Sequence, residues 1–155
     1  MQNLPEILLW LYVINLGVAF GAGIYEARII LPQWFIPFGS DLKVNTQAIN
    51  QTDVGRRFWA MVTTIPLTLL TIANLAIALK STGARHDWLL ASTVIILIER
   101  ISTFTFFIPT IIKLAQLENL AISKQATLWV RVNYFRNLLT LLGWLAALKV
   151  LTLPV

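Results

Sequence analysis

The chain contains no cysteine. That excludes disulfides, thiol redox chemistry, iron–sulfur clusters and thiolate metal sites. A quinone-coupled disulfide oxidoreductase is excluded with them. There is one histidine, His86, too few for a multi-histidine iron or zinc centre or a bis-histidine haem within one chain. No metal site and no cofactor is expected. Charge is also scarce: 12% of the 155 residues are Asp, Glu, Lys or Arg, against about a quarter in soluble domains. A chain this poor in charge cannot coat a water-facing surface well. The pI near 10 invites a nucleic-acid reading, but the twelve Lys and Arg are scattered, without a basic stripe or run. Nucleic acid is therefore not an expected partner, whereas membrane lipids are.

Apolar sequence is what the chain has in quantity: 57% of residues are hydrophobic and the mean hydropathy is +0.75. A bilayer-crossing helix needs about 20 predominantly apolar residues at about 1.5 Å each. Four runs meet this, at about 4–31, 53–81, 87–114 and 123–151. Asn3, with Glu6 three residues on, reads as a capping signal for the first. Asp53 reads as an N-cap for the second, with Gly83 just past its end. No small-residue cleavage site follows a basic segment, so the first run reads as an uncleaved span rather than a signal peptide. Without repeats, low-complexity stretches or flexible linkers, residues 1–155 read as one domain. The fold class expected is all-α: an integral membrane, antiparallel four-helix bundle.

Residues 32–52 break the pattern, with Pro32, Pro37, Gly39, several Asn, Gln and Thr, and the aromatics Trp34, Phe35 and Phe38. A connection this long in a compact bundle is often functional. Two readings stand: an interfacial aromatic anchor with a polar loop, or a lid over one mouth of the bundle. The six tryptophans read mostly as interface belts near span ends. Gly17 and Gly21 form a GxxxG pattern, extended by Ala19 and Gly23, which lets another helix approach closely. Whether that helix is in the same chain or a second copy is left open by sequence. Pro66 and Pro109 should kink their helices or free carbonyls four residues earlier. His86, between Arg85 and Asp87, reads as a solvated loop residue.

Orientation follows from the cations. The side holding both termini and the 81–86 link has three, Lys80, Arg85 and Lys149. The other side has eight: Arg28, Lys43, Arg56, Arg57, Lys113, Lys124, Arg131 and Arg136. The positive-inside rule then places the eight in the cytoplasm and both termini outside.

Ionisable groups within spans are costly and turn towards the bundle interior or a cavity. Here they are Glu26, Glu99, Arg100 and Arg136, with Asn15, Asn74, Asn133 and Asn137 as neutral company. Helix rise puts Glu26 about 8 Å from the cation-rich end of its span. Glu99 and Arg100 fall near the middle of theirs. Trp129, Asn133, Arg136 and Thr140 recur at steps of four, three and four, which sets them on one helical face. Two Glu and two Arg could form buried ion pairs that only register the helices. They could equally line a pocket for a substrate or a proton.

Two segments carry a resemblance. Phe104-Thr105, Pro109-Thr110 and Leu114, followed by Trp129, Asn133 and Arg136, resemble the anthrone oxygenase-like family, whose bacterial relatives are grouped as domain of unknown function 1772. Gly21-Ala-Gly-Ile-Tyr25-Glu26 resembles the bacterial members. Fungal members oxidise anthrones to anthraquinones. The resemblance implies Glu26, Thr105, Pro109, Asn133 and Arg136 as pocket candidates. Asn133 stands where the family pattern has a histidine before the arginine.

Three functions fit the residues. One is a membrane-embedded site for a small apolar or aromatic molecule, lined by Glu26, Glu99, Arg100 and Arg136 and covered by residues 32–52. The second is a structural or interaction protein whose ion pairs only fix packing. The third, a transport or proton pathway, ranks last because the half of the bundle holding the termini has little polarity beyond Asn15 and Asn74.

Overall fold

The structure, a computed structural model, describes residues 3–52 and 54–153. The capping readings at Asn3 and Asp53 lie outside the described side chains. In order, the chain forms α1 (Asn3–Tyr25), α2 (Leu31–Trp34), β1 (Phe35–Phe38), β2 (Asp41–Val44) and α3 (Thr46–Thr52). It continues through α4 (Ile65–Ala78), α5 (Ala84–Ser102), α6 (Ile108–Leu114), β3 (Ala121–Ser123) and α7 (Lys124–Leu151). Continuous helical runs at Leu4–Trp34, Arg57–Ala78, Ala84–Leu114 and Lys124–Leu151 are long and apolar enough to cross a membrane. These are the four runs read from sequence, with ends shifted by a few residues.

The four long helices close a ring. α1 packs on α4 and α7, and α5 packs on the same two. On α1 the inward residues are Leu9, Tyr12, Val13 and Leu16, all buried. Their spacing of three, one and three defines one helical stripe. They meet Leu67 of α4, Leu89 and Ile96 of α5, and Ala147 and Val150 of α7 in a dense apolar cluster. The outward faces are apolar as well: Ile7, Trp10, Leu11 and Ile14 on α1, and Leu69 and Ile72 on α4, are exposed. A helix apolar all round is the pattern of a core or membrane helix.

The glycine pattern packs within the chain. A Cβ on Gly23 would collide with the Asn137 side chain of α7, and the Asn137 amide donates to the Gly23 carbonyl at 3.2 Å. Gly17 faces Trp144, also on α7, whereas Gly21 has open space around it. The close-approach surface therefore runs through Gly17 and Gly23 and leaves Gly21 out.

Three stretches of the long helices are wound as wider π-helix: Glu26–Ile30, Gly55–Thr64 and Thr103–Phe107. Each is followed by one aliphatic residue and a proline: Leu31-Pro32, Ile65-Pro66 and Ile108-Pro109. The aliphatic N–H reaches back five residues, to Glu26, Ala60 and Thr103 respectively. Proline lacks an N–H and crowds the carbonyl one turn back; widening that turn relieves the crowding. A freed carbonyl is put to use at Val62, four residues before Pro66, which accepts from the Asn15 amide at 3.0 Å.

Residues 32–52 are neither plain loop nor purely helical, and the all-α expectation needs that addition. β1 and β2 form a hairpin around Gly39-Ser40, with Phe35 opposite Val44 and Phe38 opposite Asp41. Gly39 has φ +60°, which a tight hairpin turn requires. β3, from the link between the third and fourth long helices, pairs antiparallel with β2, Lys43 opposite Ile122. Pro37 sits on the edge strand, where its missing donor costs no ladder bond. The Asn45 side chain then accepts from the Ala48 N–H and caps α3. This layer buries Trp34, Phe35, Val44 and Ile49 with Phe107, Leu114, Ala126 and Trp129 in a second apolar cluster.

His86 departs from the solvated-loop reading. It is partly buried, and its Nδ1 lies 2.7 Å from the Ala78 carbonyl, closing the end of α4. Beside it Arg85 pairs with Glu6 of α1 at 2.5 Å.

Candidate functional site

Between the two apolar clusters lies a cavity of about 440 Å³, within the usual range of small-molecule sites, about 300–1,000 Å³. Every long helix contributes to its wall. The first supplies Glu26, the second Trp59 and Thr64, the third Glu99, Arg100, Thr103 and Phe107, and the fourth Trp129, Arg136 and Thr140. The three π-helical stretches all reach this wall. π-turns are concentrated at functional sites because the wider turn re-aims side chains.

Two ion pairs sit in the wall. Arg136 Nη2 donates to Glu26 Oε2 at 3.0 Å, joining the fourth long helix to the first. The Arg136 guanidinium also lies 4.5 Å from the Phe107 ring centre and 5.5 Å from that of Trp59. Aromatic faces attract a cation at such distances. In the second pair Arg100 Nε donates to Glu99 Oε2 at 2.5 Å, and Thr103 donates to the other Glu99 oxygen at 3.0 Å. Adjacent helical positions do not ordinarily face each other. Here Arg100 folds back on its neighbour, which leaves its Nη1 buried without a hydrogen-bond partner among the described residues.

Other donors are unpartnered too. Trp34 Nε1, Trp59 Nε1 and both amide atoms of Asn133 are buried with no partner among the described residues. Trp59 and Asn133 both face the Glu26 carboxylate. A buried donor left unmatched costs about 1–3 kcal/mol. Of these groups Arg100, Trp34 and Trp59 line the cavity, each with a buried donor that lacks a partner among the described residues, and Asn133 lies behind the wall beside Glu26. Trp129 is the exception among the inner tryptophans, since its Nε1 donates to the Phe107 carbonyl at 3.2 Å.

The structure brings together Glu26, Glu99, Arg100 and Arg136 in the cavity wall, with Asn133 wholly buried beside Glu26. The stripe Trp129, Asn133, Arg136 and Thr140 faces inward along α7. Thr105 is not brought in: it is exposed, and its hydroxyl donates to the Ile101 carbonyl of its own helix. Pro109 lies outside the wall and acts on it only through the preceding π-turn. Trp34, Trp59, Phe107 and Thr103 were not singled out as wall residues from sequence. The belt reading of the tryptophans fails for Trp34 and Trp129, which are buried, while Trp10 and Trp88 are exposed. Aromatic residues one turn before an aliphatic-Pro step would have flagged Trp59 and Phe107.

No protein-family model, curated protein or solved structure matches this chain. Among the described residues no cluster of three or more His, Asp or Glu could hold a metal ion.

Proposed function

We propose that this chain is a multi-pass membrane protein whose four spans form an antiparallel bundle, and that it binds a small apolar or aromatic molecule carrying an acceptor oxygen. The observation that carries this is in the cavity wall: Arg100 Nη1 and Trp34 Nε1 are buried with no partner among the described residues, around a space bounded by aromatic and aliphatic side chains. A carbonyl or anionic oxygen would satisfy them, and the ligand's apolar body would lie against Phe107, Trp129 and Ile111. The resemblance to the anthrone oxygenase-like family favours an aromatic ligand: Glu26 and Arg136 are family-matched residues that pair here, while Asn133 beside them departs from the family's histidine. In an enzymatic form of this reading, Glu26 would take a proton from an activated C–H while Arg100 held the developing enolate oxygen. Uninterrupted apolar outer faces support the membrane setting. The excess of cations at the sheet end supports a cytoplasmic sheet and external termini.

The test is a titration of purified protein in detergent with 9,10-anthraquinone, read by quenching of tryptophan fluorescence. Binding predicts saturable quenching that weakens at least about ten-fold, or about 1.4 kcal/mol, in Arg100→Gln and in Trp59→Phe. Non-saturable quenching, equal in all three proteins, rejects the site.

A second reading rests on the Glu26–Arg136 pair, which links residues 110 positions apart. There the ion pairs serve packing alone. It predicts that Arg100→Gln lowers stability while no probe saturates.

A further inference from the structure

The cavity wall is not equally covered on all sides. Its exposed members are Asn50, Gly55 and Ile112. Val54, Ala60, Ile108, Ile111 and Ala115 beside them are half-buried. All of these come from two places: the approach to and first turns of the second span, and the final turns of the third. At the opposite end of the bundle these two spans pack firmly, α4 on α5. Of the wall members supplied by the first and fourth long helices, Ala19, Glu26, Trp34, Trp129 and Thr140 are buried, Arg136 and Asn137 are half-buried, and none is exposed. The opening therefore faces outward between the second and third spans.

Its chemistry is graded. The outer rim is aliphatic, from Val54, Ile108, Ile111 and Ile112, and the inner end holds Glu99, Arg100 and Arg136. Exposed Arg57 and Lys113 stand close in sequence to Gly55 and Ile112 on the two sides. The second span begins at Arg57 and the third ends at Leu114, so the opening sits at the depth where head groups meet acyl chains. Among the described residues a direct bond crosses it: the Asn50 amide of α3 donates to the Ala115 carbonyl at the end of the third span, at 3.2 Å.

We infer that this gap is the mouth of the site: the ligand enters sideways from the bilayer, acceptor oxygen first, and the Asn50–Ala115 bond latches the mouth. The inference rests on the binding reading above and adds the route and the polarity of the ligand. A molecule with a polar acceptor head and an apolar body already lies at this depth in a membrane with its head near the surface. Sliding between the aliphatic rims keeps its body out of water throughout. The three-stranded sheet, stitched across by β2 and β3 pairing, stays shut.

The cysteine-free chain makes the test reversible. Two paired-cysteine variants are reconstituted in phosphatidylcholine vesicles. In Asn50→Cys with Ala115→Cys, a short bis-methanethiosulfonate reagent bridges the mouth. In Lys43→Cys with Ile122→Cys, a disulfide locks the sheet, since these residues are direct cross-strand partners. Tryptophan quenching by 9,10-anthraquinone is followed by stopped flow before and after dithiothreitol. A mouth bridge should slow quenching at least about ten-fold, a change of about 1.4 kcal/mol in barrier, with full recovery on reduction. The sheet lock should not slow it, and the water-soluble anthraquinone-2,6-disulfonate should not quench from outside the vesicle. Equal rates in bridged and reduced mouth variants overturn the route, as does slowing by the sheet lock or fast quenching by the disulfonate. Saturable quenching by the reduced variants in detergent separates the two claims. If it is present, a failed bridge effect rejects the route alone; if it is absent, site and route fall together.

Discussion

Arg136 on α7 donates to Glu26 of the first long helix at 3.0 Å, and its guanidinium is flanked by the rings of Phe107 and Trp59. One side chain thus ties together all four long helices around the cavity. Both partners are largely buried, with side-chain exposures of 12% and 6%. Losing either one strands the other's charge, so Glu26→Gln and Arg136→Met should each destabilise the protein by about 3–5 kcal/mol. The double variant should recover much of that loss. A denaturation series in detergent, arranged as a double-mutant cycle, measures it; strictly additive losses would show that the pair is not coupled.

Gly23 and Gly21 lie one turn or less apart but face different surroundings. A methyl group at Gly23 meets Asn137, whereas at Gly21 it meets open space. Gly23→Ala should cost about 1–3 kcal/mol through overpacking, partly recovered by Asn137→Ala. Gly21→Ala should be neutral, or stabilising by up to about 1 kcal/mol. Thermal melts of the three variants distinguish packing inside the chain from packing against a second copy, which would penalise Gly21→Ala as well.

Pro109 shapes the site from outside its wall. Replacing it by Ala restores a backbone donor and removes the ring's crowding, so the Thr103–Phe107 turn should tighten towards ordinary α-helix. Phe107 and its carbonyl, which holds Trp129, would then be re-aimed. Pro109→Ala should weaken anthraquinone binding by about ten-fold or more, about 1.4 kcal/mol, without lowering the melting temperature. Unchanged affinity would mean that the wide turn does not set the geometry of the site.

Orientation can be read with single cysteines, because the native chain has none. Ser81→Cys lies in the link between α4 and α5, and Ser40→Cys lies in the hairpin turn. A membrane-impermeant maleimide should label Ser81→Cys on intact cells and Ser40→Cys only after permeabilisation. The reverse pattern would invert the assignment made from the cations.

Much of the frame was legible in one dimension. Apolar runs of span length are a local property, set by each residue's preference for leaving water, and they located the long helices to within a few residues. The inward stripe of α7 was legible for the same kind of reason: Trp129, Asn133, Arg136 and Thr140 keep helical spacing. The hairpin was not read from sequence, where residues 32–52 stood as a polar loop or a lid in an all-α fold. Nor was its third strand, because Ala121–Ser123 lies some eighty positions downstream and carries no local mark of its partner.

By itself, then, the sequence determined that four long apolar helices form, that Glu26, Glu99, Arg100 and Arg136 fall within them, and that thiol and multi-histidine chemistry are excluded. Only the tertiary structure decided how those charges meet. It paired Arg100 with its own neighbour, turned Thr105 outward and drew Trp34 and Trp59 into the wall, their donors without a partner among the described residues. For Thr105, Trp34 and Trp59 the physical reason is the three π-turns before proline, each of which changes the pitch within a helix. A residue's facing beyond such a turn no longer follows from counting at 3.6 per turn. It is settled by which neighbouring helix has room to receive it.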